Sequence, residues 1–321
     1  MNGRLTIAFL CIAATWCAKG STSETVGAAV DVNALPETVR NQLTQSIDEA
    51  RRDHPEAFVA VDRVISSIPR EKAASRGSSA NATVVLEGIG SDALFPMLDL
   101  LVHGFPSDAD YDLETWPETQ TVLIDAVGRI RDPRSFPILT NILESGSVDQ
   151  ATQKVATAAL ARLESDEVIR YLFSVLDDPS ASEGKRRAVL WGIGYCARAP
   201  VAERLATELR SHPEPEEAVI LIDSLGKVGN WGVWSVPTKK QKNEGTTTKR
   251  VAAEAALWSF SEYTDIEVRH AAKRTVLIVC DPDTPQMINS VRKDAPPELQ
   301  RAPDDLEQSW FGSSSRSVCT R

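Results

Sequence analysis

The densest group of residues able to bind or react lies at 229–250, GNWGVWSVPTKKQKNEGTTTKR. Trp231 and Trp234 offer aromatic faces. Lys239, Lys240, Lys242, Lys249 and Arg250 offer cations, with Glu244 as the single acid of the stretch, in a chain whose formal net charge is −10. Aromatic and basic side chains on a projecting loop suit recognition of a partner, since rigid scaffolds carry much of their function on loops. These seven residues are the candidate partner contacts. The plain alternative is a cover over the core with solvated lysines.

Three other groups carry thinner patterns. Asp108, Asp110, Asp112 and Glu114 alternate as Ca²⁺ ligands would, but an EF-hand needs Gly where Leu113 stands and Glu where Thr119 stands. His54, His103, His212 and His270 are scattered, with no second His or Cys at the spacing a zinc site needs. Glu87, Asp125 and Asp223 each stand three residues before a recurrent glycine, which places them on one common face, read first as the solvated side of the first helices and second as a row that would attract a basic partner. No nucleophile elbow, phosphate-cradling glycine loop or HExxH motif is present. The reading therefore leans against an enzyme and names no catalytic, cofactor or metal residue.

The 321 residues, 42% of them hydrophobic and only 6% aromatic, supply a sizeable aliphatic core. The acidic balance argues against a general nucleic-acid binder, which needs a basic face. Leu5–Ala14 is an apolar run too short to span a bilayer, followed by Ala18-Lys19-Gly20 with small residues where a leader peptidase cuts. Residues 1–20 read as a secretory signal, so an exported chain without a transmembrane segment is expected. A lipid anchor at Cys17 is disfavoured by Trp16 before it. Cys196, Cys280 and Cys319 then remain. The first two sit in apolar contexts as small buried hydrophobes, and Cys319 lies in a polar tail.

What would position these groups is an internal repeat. Val84–Gly90, Val122–Gly128, Thr157–Leu163, Ala188–Gly194 and Ile220–Gly226 are apolar helical segments whose ends recur every 31–38 residues. A second apolar pattern follows each of the first four, at Leu94–Leu101, Phe136–Leu143, Val168–Leu176 and Val201–Leu209, with its stripe at helical spacing. The closing glycines read as left-handed caps that let the second helix fold back. Such pairs bury their faces only by stacking.

The expected organisation is a helical cap or divergent repeat at 21–80, a solenoid at 81–294 with an insertion at 229–248, and a tail at 295–321 too rich in Pro, Ser and charge to make a core. Within these, a helix over Pro55–Ile68 ends before Pro69, 70–80 forms a polar loop, and Lys249–Tyr263 is the displaced second helix of the fifth pair.

Asp265-Ile266-Glu267-Val268-Arg269-His270-Ala271-Ala272 resembles the D-x-x-V-R-x-x-A-A first helix of the HEAT-repeat superfamily, in particular the short repeats named after phycobilisome lyases. The endings Val127-Gly128, Ile193-Gly194 and Leu225-Gly226 support the resemblance, which covers about residues 80–293. The Asp and Arg of the pattern are clear only in this last repeat, with Arg187 a partial echo. The resemblance implies an all-α solenoid of about six antiparallel helix pairs, a HEAT-like or armadillo-type superhelix. It further implies a non-catalytic scaffold of the cell envelope or secreted fraction that binds an unidentified protein. A lyase-type enzyme or subunit and a structural envelope component are the alternatives.

Overall fold

The computed structural model describes residues 25–74, 78–106, 115–146, 148–235, 242–294 and 302–312. It is all-α and built as a stack of helix pairs. The N-terminal pair is α1 (Glu37–Asp53) and α2 (Pro55–Ala74). Six further pairs follow among the described residues. They are α3 (Ser78–Ile89) with α4 (Leu94–His103), α5 (Trp116–Ile130) with α6 (Phe136–Glu144), and α7 (Gln150–Arg162) with α8 (Asp166–Asp177). Next come α9 (Glu183–Gly192) with α10 (Ala199–Arg210), then α11 (Pro215–Val228) with α13 (Lys242–Glu262), the short turn α12 (Trp231–Trp234) lying between them. The last pair is α14 (Ile266–Val279) with α15 (Thr284–Asp294), and α16 (Ala302–Gly312) closes the described chain.

Local chemistry sets the helix starts. Asp149, Ser165, Ser182 and Asp265 each accept a backbone N–H of the first turn of α7, α8, α9 and α14. Pro in the first turn opens α5, α6, α10 and α11, where its missing N–H costs nothing. A strap at 25–35 lies over the early pairs. Thr25–Val26 pairs antiparallel with Phe105–Pro106, and Ala29 donates its N–H to Leu101 O at 2.9 Å.

The first helices α3, α5, α7, α9, α11 and α14 pack one on the next as a continuous layer. The closing glycines explain how. Gly128 and Gly226 are not left-handed caps but lie inside α5 and α11. A Cβ on Gly128 would stand 2.4 Å from Ala159 Cα, and one on Gly192 would stand 2.5 Å from Thr157 Cβ. On Gly194 it would stand 2.9 Å from Ser224 Cα. The glycines thus exist for helix-to-helix approach, and only Gly90 keeps the expected positive φ. Left-handed turns fall instead on Arg131, Glu164, His212 and Cys280.

Among the second helices α10 packs on α13 and α13 on α15. Their buried positions carry larger side chains such as Leu98, Leu139, Leu172 and Leu205, all fully buried.

Four expectations are corrected. First, α2 continues through Pro69 to Ala74, and α3 begins at Ser78, so most of 70–80 is helical. Proline removes one hydrogen bond and bends a helix without having to end it. Second, α13 begins at Lys242, so most of the expected insertion beyond 241 is helix. Third, the 295–321 stretch contributes to packing. α16 lies on α15 with Leu306 1% and Trp310 4% exposed, and Arg292 bridges Asp304 and Glu307. Two apolar residues at helical i, i+4 spacing outweigh the polar average of the window. Fourth, Cys280 is buried but disulfide-bonded, whereas Cys196 is buried as expected.

Candidate functional site

The expected contact set does not come together as a site. Lys239 and Lys240 lie outside the described residues. So does the Asp108–Glu114 acid loop. Lys242 stands at the first turn of α13. Arg250 faces inward to Asp281 (3.3 Å) and also pairs with Asp283. Trp234 donates its indole N–H to Val228 O at 2.8 Å, and its ring lies over Gly245 of α13. Lys249 is half-buried on α13. Trp231 is 38% exposed. The histidines sit on separate elements. Among the described residues no three His, Cys, Asp or Glu side chains gather where they could hold a metal ion, and no helix is long and apolar enough to cross a membrane.

The acid row is different. Glu87, Asp125 and Asp223 do share the first-helix face, but as rungs of a charged ladder. Arg129 reaches Asp125 at 2.9 Å on its own helix and Glu87 at 3.3 Å on the previous one. Arg162 of α7 lies 2.9 Å from Asp125, and Arg274 of α14 lies 3.2 Å from Asp223. Trp191 takes the acid's place in the fourth pair, three residues before Gly194.

The ladder changes character at its centre. The Arg162 guanidinium lies 4.5 Å from the centre of the Tyr195 ring. Lys227 Nζ lies 5.0 Å from the same ring and 3.9 Å from that of Trp191. The two rings are tilted neighbours 5.6 Å apart, and Nζ donates to Trp191 O at 3.1 Å. Cations over aromatic faces gain from the ring quadrupole, most where water is excluded.

These central cations are under-compensated. Among the described residues Lys227 makes no ion pair. Burial pushes its ammonium down from 10.5 to about 8, helped by repulsion from Lys154 and Arg162 and opposed by Asp223. Burial also lowers Arg162, whose side chain is 12% exposed, against the pull of Asp125. Asp125, the one carboxylate beside Arg162, is shared with Arg129. The ladder holds Arg129, Lys154, Arg162, Lys227 and Arg274 against Glu87, Asp125 and Asp223. In an acidic chain this is a locally positive stretch of the first-helix face that also carries two aromatic rings.

Sequence reasoning missed its central residues, although a signal existed. Arg129, Tyr195 and Lys227 each directly follow a closing glycine, one helical turn beyond Asp125, Trp191 and Asp223.

No protein-family model matches the chain, and no curated protein does. Among solved structures it is similar to human deoxyhypusine hydroxylase in complex with glycerol, at 13% identity and a TM-score of 0.33, covering 80% of this chain and 98% of that one. The expectation of a non-catalytic scaffold is withdrawn, because stacked helix pairs by themselves give no ground for excluding catalysis. A likeness this distant brings nothing of that enzyme's activity to this chain.

Proposed function

We propose that this protein recognises an anionic ligand, a carboxylate or a phosphate, on its first-helix face. Arg162, Lys227 and Lys154 hold the charge there, and Trp191 and Tyr195 shape the floor. The supporting observation is that Arg162 and Lys227 share the Tyr195 ring without a full complement of carboxylates. A bound anion would restore what burial has taken from both. It would also raise the Lys227 pKa by favouring the charged form.

Inorganic phosphate and citrate, titrated against the full chain while the fluorescence of Trp191 is followed, test this. Binding should weaken about tenfold in Lys227→Met, the loss of one buried charge contact. It should also fade as pH rises through about 8, where the amine loses its proton. Equal binding by wild type and Lys227→Met, or a flat profile from pH 6 to 9, would sink the reading.

Export belongs to the same proposal. The Leu5–Ala14 run with Ala18-Lys19-Gly20 fits a leader, and the bonded Cys280 fits an oxidising compartment, where disulfides persist. A partner contact at 229–250 survives as a second reading through the exposed Trp231 ring and half-buried Lys249. Trp231→Ala should leave stability unchanged and weaken capture of a partner. Unchanged capture removes that reading.

A further inference from the structure

We propose that Lys227 forms a reversible imine with an anionic aldehyde or oxo acid held on the first-helix face. The inference rests on the anion-recognition reading and names the ligand's reactive group. Its ground is the surroundings of the amine. Nζ lies against the faces of Trp191 and Tyr195, with one N–H committed to Trp191 O at 3.1 Å. Its charged neighbours are Asp223, of opposite sign, and Lys154 and Arg162, of like sign. An amine desolvated beside other cations is the setting in which lysine becomes a nucleophile. With its pKa at about 8, roughly a tenth of Lys227 is neutral at pH 7, against well under a hundredth for an ordinary lysine.

The ligand's anionic group would meet the guanidinium of Arg162, whose one carboxylate neighbour, Asp125, is shared with Arg129. That contact brings the carbonyl carbon toward the amine. The amine lone pair attacks the carbon and a C–N bond forms. The carbonyl oxygen leaves as water with both amine hydrogens, and uptake of one proton gives the iminium. Charge at the nitrogen is the same as in the resting ammonium. The iminium keeps one N–H for Trp191 O and keeps its cationic contact with both rings, so the pocket need not rearrange.

The test is reductive trapping on the full-length protein. Glyoxylate and cyanoborohydride are added from pH 6.5 to 9, and adducts are mapped by peptide mass spectrometry. Lys227 should label at least tenfold faster than the median lysine, with a rate that levels off near pH 8. Labelling spread evenly over the lysines would overturn the proposal. Propanal in place of glyoxylate, and the phosphate titration above, separate the two readings. Equal labelling of Lys227 by both aldehydes would sink anion recognition. Phosphate binding at Trp191 without labelling of Lys227 would sink the imine alone.

Discussion

The two helix layers are made by the same repeating unit yet hold together by different means. In the first-helix layer, backbones approach through Gly128, Gly192 and Gly194 against Ala159, Thr157 and Ser224. Hydroxyls then reach across the short gap. Ser224 donates to Leu190 O at 2.7 Å and Thr275 to Ile222 O at 2.9 Å. In the second-helix layer the buried positions carry bulky aliphatic side chains such as Leu139 and Leu205 instead. A tight layer can hold long charged side chains in register from one repeat to the next, because the distance between rungs is set by backbone contact. The ladder from Glu87 to Arg274 runs over that layer. Close packing and the candidate site are in this sense one feature.

Three substitutions probe the contrast. The largest effect is expected from Gly128→Leu, because the new side chain meets backbone, which cannot step aside. Overpacking of this kind costs about 3 kcal/mol or more, and thermal unfolding should show a lost or much earlier transition. A wild-type melting temperature would mean that the layer is looser than described. Leu205→Ala in the second layer should cost about 3 kcal/mol through lost burial and a cavity. Its signature differs, since a small apolar guest such as benzene should recover part of the loss, and no such rescue should occur for Gly128→Leu. The smallest effect is a gain. Gly88 lies in α3, and a methyl group added there would meet nothing within 4 Å, so Gly88→Ala should stabilise by about 0.5–1 kcal/mol. A loss there would show that glycines of this layer are needed for more than approach.

The helix pairs were legible because apolar residues recur at steps of three and four, and no other element satisfies that pattern over the whole chain. The glycines were legible as positions but not as causes. A glycine near a helix end suits either a left-handed turn or a close neighbour, and only the neighbour's place decides between them. The site was half legible. Acids recurring before Gly90, Gly128 and Gly226 marked the face, but their partners Arg129, Arg162 and Arg274 come in part from other helices. Composition misled at 229–250. Arg250 reads as free charge until Asp281, 31 residues on, is seen beneath it. Trp234 reads as a recognition ring until Gly245 is seen under its face.

A stack of like pairs ends in two surfaces, each shaped to receive the other. Left bare, such ends join head to tail, and because nothing closes the ring the product is an open filament. α16 lies across α15 at one end, turning Leu306 and Trp310 inward and Asp304 and Gln308 outward. This short helix thereby covers the apolar side of α15 with Leu306 and Trp310, while Phe311 beside them stays 42% exposed.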